Sequence, residues 1–238
     1  MEAIKRQYSI QLRDKRFLIS TAIGLVLVVA SLFANIVAGT YATQSATGPV
    51  GDIILSNTPV VNVDDIFVYG PIIFWTIITL YALARPSSLP FWLKTVALFV
   101  VVRSVFITLT HIGPFPDHVN VDQFSLDPHI NFYIFSSGAD LFFSGHTGLP
   151  FLMALIFWDD KRMRVFGILA AIFFGVVVLL GHLHYSIDVM AAFFITYTIH
   201  HIATKIFPQD LRRFKSGLAP SFAMEPAVRS RAHAGDPR

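Results

Sequence analysis

Residues 165–188, VFGILAAIFFGVVVLLGHLHYSID, run without a formal charge from Val165 to Leu183 and then meet His184 and Asp188. At about 1.5 Å per helical residue, the first part is near the length that crosses a bilayer core about 30 Å thick. A turn of a few residues leads straight into a second apolar run, Tyr185 to Ile202. Working outward, four further runs have similar length: Phe17 to Tyr41, Ile66 to Ala84, Phe91 to Ile112 and Leu141 to Trp158. The expected fold is all-α, a polytopic membrane protein built as a six-transmembrane-helix bundle. Composition agrees, because only 14% of the 238 residues are charged and 54% are hydrophobic, against roughly 25% charged in soluble domains. The mean hydropathy is +0.62. With no cysteine, a disulfide scaffold, a thiolate metal site and a cysteine nucleophile are all excluded.

Positive residues near span ends stay on the cytoplasmic side. Lys5, Arg6, Arg13, Lys15 and Arg16 precede the first span, Arg85 and Lys94 flank the second connection, and Lys161, Arg162 and Arg164 flank the fourth. Seven more basic residues lie between Lys205 and Arg238, whereas the connections 42–65 and 113–140 hold none. Both termini are therefore expected in the cytoplasm. The acidic residues Asp52, Asp64, Asp65, Asp117, Asp122, Asp127 and Asp140 fall in the two outer loops. This divides the chain into a basic N-terminal segment (1–16), a membrane domain (17–204) and a basic, irregular and mobile tail (205–238). The first apolar run exceeds the 7 to 15 residues usual for a signal peptide, so it reads as a retained anchor. The net charge of +3 forms no surface stripe, which argues against nucleic acid as a partner.

Ionisable side chains inside apolar spans are costly and usually line a working cavity. Arg103 lies about 14 Å from Ile112 along the third span, too deep to snorkel easily. Lys94 lies three residues from the inner end and reads as a snorkelling side chain. His146, His184 and Asp188 converge on the outer half. The i, i+4 spacing of His184 and Asp188 puts both on one helix face, which suits a carboxylate that orients an imidazole. Asp188 could instead be only the counter-ion of Arg103. His182 could line the same cavity, and His200 and His201 read as interfacial anchors at the other end. A zinc site of His146, His182, His184 and Asp188 lacks any His-Glu-x-x-His motif, so no metal is expected.

Asp140-Leu-Phe-Phe-Ser144-Gly145-His146-Thr147 and Gly181-His182-Leu-His184-Tyr185-Ser-Ile-Asp188, preceded by Arg103-Ser-Val-Phe-Ile-Thr108 and Pro114-Phe-Pro116, resemble the sphingomyelin synthase family within the type 2 phosphatidic acid phosphatase superfamily. The resemblance covers about residues 99–200. It implies that His184 is the nucleophile on phosphorus, Asp188 its orienter and His146 the general acid and then base. It also implies that Arg103, Ser144 and Gly145 bind the phosphoryl oxygens, without a cofactor. Asp140 would bind a cationic head group or cap the fourth helix, and Tyr185 and His182 would line the cavity. The rings of Phe132, Tyr133, Phe135, Phe142 and Phe143 read as an interfacial aromatic belt. Two phosphatase features are missing. Ile78 stands where a Lys-x6-Arg-Pro motif needs its lysine, and Val177-Val178 stands where a Ser-Arg pair would precede the second histidine.

The function expected from these residues is transfer of a phosphocholine- or phosphoethanolamine-type head group from a glycerophospholipid to a lipid alcohol such as ceramide or diacylglycerol. Hydrolysis of a lipid phosphate or pyrophosphate is the alternative, and a non-catalytic membrane protein the second. Membrane lipids are the expected partners, in a bacterial-type plasma membrane with the site on the extracytoplasmic side.

Overall fold

The structure, a computed structural model of the chain, describes residues 2–119 and 140–218. Among these residues there are eight α-helices, α1 (Glu2–Gln11), α2 (Lys15–Gln44), α3 (Asp64–Leu83), α4 (Leu89–Leu109), α5 (Gly145–Ile156), α6 (Lys161–Leu180), α7 (Ser186–Ile206) and α8 (Pro208–Leu218), with short 3-10 turns at Leu55–Asn57 and Pro86–Ser88. Among the described residues there is no strand. Five helices, α2, α3, α4, α6 and α7, are long and apolar enough to cross a membrane. The tail residues 219–238, with Asp122, Asp127 and the aromatic residues Phe132, Tyr133 and Phe135, lie outside the described residues.

The expected fourth span, Leu141 to Trp158, is shorter than its hydropathy suggests. It forms a helix of 12 residues, about 18 Å long, which falls short of a bilayer core about 30 Å thick. The cause is local. The Arg103 guanidinium donates to the backbone carbonyls of Asp140 (2.6 Å) and Phe143 (2.9 Å), so residues before Ser144 satisfy their polar groups outside a helix, as apolar surroundings demand. The helix begins where Ser144 caps it, accepting from the Thr147 N–H at 3.4 Å. Phe143 is buried against Phe99 and Phe106, which removes it from the expected interfacial belt.

The apolar faces close into one core. Helix α2 packs along α4, α5 lies against α6 and α7, and α3 reaches α6 through the stacked rings of Phe74 and Phe166 and the edge contact of Phe74 with Phe174. Close approach of α5 and α6 depends on Gly167, where an added Cβ would stand 2.8 Å from the Ala154 nitrogen and 2.9 Å from the Pro150 carbonyl. Small residues serve this purpose between membrane helices.

Two ends of the bundle are tied separately. At one, the Thr47 N–H donates to the His111 carbonyl, Val61 to Leu180 and Val119 to Gly181, which gathers the loops 45–63 and 110–119 over the α6–α7 turn. The opposite end collects the basic connections. There Asp160 caps α6 and accepts from the Tyr81 hydroxyl at 2.6 Å and from Arg85 at 3.2 Å. Those bonds hold its carboxyl below the usual range.

Two expectations fail at this end. Residues 208–218 of the supposedly irregular tail form α8, and Lys94 does not snorkel. Its ammonium is buried, 2.7 Å from Asp210 of α8 and 2.6 Å from the Ser20 hydroxyl. The Ser20 hydroxyl also donates to Asp210 at 2.7 Å. Burying a lysine is tolerable only with such a partner, and the partner comes from α8, 116 residues further along the chain.

Candidate active site

The candidate site forms where the N-termini of α5 and α7 meet. The Ser144 N–H donates to the Asp188 carbonyl at 3.2 Å, so the two helix starts are fastened to each other. Within α5 the Thr147 N–H turns to Ser144 Oγ and the Gly148 N–H to the Ser144 carbonyl at 3.0 Å. The amides of Gly145 and His146 are the other donors of that first turn, and a helix start of this kind favours an anion.

Arg103 enters from α4, about 9 Å along the helix from Leu109, and lies over this turn. A Cβ on Gly145 would stand 3.4 Å from the Arg103 Nε, an ordinary van der Waals contact, which places the guanidinium directly against this turn. The carboxylate that pairs with Arg103 is Asp140, with Oδ2 3.2 Å from Nη1, and Asn35 of α2 accepts from the same nitrogen at 3.3 Å. This corrects the view of Asp188 as the counter-ion. It also settles the helix cap, which is Ser144 and not Asp140.

On α7, Asp188 sits in the first turn, fully buried. Its Oδ2 accepts from the Tyr185 N–H at 2.9 Å and stands 3.4 Å from Nδ1 of His184. The Asp188 N–H returns to the Tyr185 carbonyl at 3.0 Å, so helix start and carboxylate hold each other. His184 is itself buried. Because its Nδ1 faces the carboxylate, Nε2 is the ring nitrogen turned away from it.

His146, in the first turn of α5, is partly exposed. It stacks on Phe67 of α3 at 4.2 Å between centroids and meets Phe174 of α6 edge-on at 6.4 Å. His146, His184, Asp188, Arg103, Ser144 and Gly145, far apart in the chain, are thus brought to one place.

The remaining expected residues play other parts. His182 ends α6 in the left-handed conformation, φ 52°, with its N–H bonded to the Leu179 carbonyl and the Leu183 N–H to Val178. That is a Schellman ending, in which glycine is usual at this position. Its Nδ1 is 2.7 Å from the Asp117 carbonyl and its ring meets Phe115 edge-on, so it clasps the 110–119 loop. Tyr185 does likewise, its hydroxyl donating to the Gly113 carbonyl at 2.8 Å and accepting from the Val50 N–H at 3.2 Å.

Sequence reading passed over Asp52. One carboxylate oxygen accepts from the Ser186 N–H (2.6 Å) and hydroxyl (2.8 Å), the other from the Ile54 and Leu55 amides. Burial pushes its carboxyl up, but these bonds outweigh burial and hold it below the usual carboxylate range. Nothing in the sequence marks Asp52 apart from other loop aspartates. Asn35 and Phe67 gave equally little signal, as single residues inside or beside apolar runs.

Among the described residues no group of three or more His, Asp or Glu side chains is arranged to hold a metal ion. The positions of the missing phosphatase features are apolar: Val177, Val178 and Ile78 are all buried. Arg85 pairs with Asp160 at the opposite end of the bundle.

Residues 138–205, which include α5, α6 and all but the last residue of α7, match the family model described as PAP2 superfamily C-terminal. No curated protein and no solved structure matches the chain. The match supports the phosphatase superfamily and stops short of the sphingomyelin synthase-like branch.

Proposed function

We propose that this chain belongs to the PAP2 superfamily and is an integral-membrane lipid phosphotransferase of the synthase-like kind. It would move a phosphocholine- or phosphoethanolamine-type head group from a glycerophospholipid to ceramide, diacylglycerol or another lipid alcohol. The observation that carries this reading is the meeting of two helix starts, His146 on one and the His184–Asp188 pair on the other, under the Arg103 guanidinium. A helix N-terminus is suited to phosphoryl oxygens, and Arg103, whose N–H groups are given to Phe143, Asp140 and Asn35, would have to exchange some of those partners to hold them as well.

The chemistry divides into two displacements. In the first, the Nε2 lone pair of His184 attacks phosphorus and the bond to the glycerolipid oxygen breaks. His146 gives its proton to that oxygen, and the phosphate beside it favours the imidazolium form that this step needs. Asp188 fixes the ring and stabilises the charge that develops on it. In the second, the acceptor hydroxyl loses its proton to His146, its oxygen attacks phosphorus, and the bond from Nε2 to phosphorus breaks. Splitting one difficult transfer in this way is the advantage of covalent catalysis. Buried Val177 and Val178 in place of a polar pair favour this branch over a phosphatase. The basic connections gathered at the opposite end support a site on the extracytoplasmic face, in a bacterial-type plasma membrane, through the positive-inside rule.

The test is to reconstitute the full chain with a phospholipid labelled in its head-group phosphate together with ceramide or diacylglycerol. Label in a new lipid supports the transferase. Label only in water-soluble product means hydrolysis, and no movement across donor lipids in a folded protein overturns the enzymatic reading.

A further inference from the structure

Phe67, Gly70 and Pro71 stand at i, i+3 and i+4 on α3, so they share one helix face. Gly70 brings that face close to α6, since an added Cβ there would lie 2.6 Å from Cε1 of Phe174. The rings of Phe67 and Phe174 both meet His146, the first stacked at 4.2 Å with the planes inclined by 23°, the second edge-on at 6.4 Å.

Pro71 adds something of a different kind. In an unbroken helix the N–H four residues on would bond the Phe67 carbonyl, but proline has no N–H and its ring crowds that carbonyl. A backbone oxygen freed in this way inside an apolar span needs another donor, and it faces the His146 imidazole as an acceptor. Among the described residues His146 makes no ion pair with an acidic side chain, unlike His184 with its Asp188.

We propose that the Phe67 carbonyl, freed by Pro71, is the positioning group of His146: it takes the N–H of one ring nitrogen, the stacked Phe67 ring fixes the plane of the imidazole, and the other nitrogen is left for the substrate. This deepens the role given to His146 above and rests on it. The N–H on Phe67 stays in place through both displacements. The proton that passes to the glycerolipid oxygen, and the one later taken from the acceptor hydroxyl, both travel through the other nitrogen. A neutral carbonyl suits this double duty, because a carboxylate in its place would favour the imidazolium and weaken it as an acid.

The test uses the full chain in bilayers with isotope-labelled histidine, read by nitrogen NMR in alkaline buffer, where imidazoles are neutral. The His146 signals are assigned by their loss in His146→Gln. Wild type should show a single tautomer, one ring nitrogen protonated and the other bare. Pro71→Ala supplies the missing N–H to the Phe67 carbonyl and should show the two tautomers mixed, with a melting temperature no lower than wild type because proline inside a helix is costly. In the head-group assay its kcat should fall on the order of 10- to 100-fold with KM little changed. Mixed tautomers in the wild type, which requires no variant to fold, overturn the proposal. So does an unchanged spectrum in folded Pro71→Ala, an unchanged kcat, or a loss confined to KM. If the wild type moves no head group to lipid or water, the catalytic role of His146 fails, and the spectrum still decides whether the carbonyl holds its ring.

Discussion

Oδ2 of Asp188 accepts the Tyr185 N–H at 2.9 Å while standing 3.4 Å from Nδ1 of His184, so one oxygen both starts α7 and faces the imidazole that precedes it. A local helix-capping bond thereby fixes the carboxylate on which the ring orientation depends. The two tasks can be separated by substitution.

Asp188→Asn can keep the Tyr185 bond through its amide oxygen but loses the negative charge beside His184. Turnover in the head-group assay should fall on the order of 10³- to 10⁴-fold, while the melting temperature changes little. A variant that unfolds would show that the carboxylate serves packing first.

Arg103→Lys keeps the positive charge and loses the planar fork that holds the Asp140 and Phe143 carbonyls together with the Asp140 carboxylate. A lysine cannot reach all of these at once. Each buried carbonyl left without a donor costs about 1 to 3 kcal/mol. Denaturant unfolding should therefore report lower stability, along with lost activity.

The Asp52 carboxyl, held below its ordinary value of 3.8, stabilises the fold when ionised. The contribution is complete above that ordinary value and disappears as pH falls through the lower folded value. Asp52→Asn removes an acceptor from either Ser186 or the Ile54 and Leu55 amides. In thermal unfolding from roughly pH 7 to pH 3, the variant should be less stable than wild type at the upper end. The gap should narrow at the most acid values.

Asp210→Ala strands the Lys94 ammonium in the bundle and should cost about 3 to 5 kcal/mol. Replacing both residues, Lys94→Met with Asp210→Leu, should recover most of that loss, since a buried pair is often no better than an apolar one. The comparison of the two unfolding curves is the readout. If Asp210→Ala alone is harmless, α8 is not latched to the bundle.

Hydropathy alone located the five long spans, because the few polar side chains that α2, α4 and α7 bury, Lys94, Arg103 and Asp188 among them, are outnumbered by apolar ones. Residues 141–144 misled it: Leu141, Phe142 and Phe143 are as apolar as a span yet are kept out of the helix by a guanidinium from α4. The candidate site was legible where partners are close in sequence, as with His184 and Asp188. It was hidden where they are distant, with Lys94 and Asp210 116 residues apart and Asp52 and Ser186 134 apart. A loop aspartate with four well-placed donors looks, in a sequence, like any solvated one.

The central claim is that His184 carries the head group between two lipids. It is tested by incubating the reconstituted protein with head-group-labelled phospholipid, quenching in base to preserve a phosphorus–nitrogen bond, and mapping the label by peptide mass spectrometry. Wild-type protein without acceptor should carry the label on the peptide containing His184, lose it when lipid alcohol is added, and show none in a folded His184→Ala variant. Full transfer by that variant, or label on another residue, would contradict the assignment.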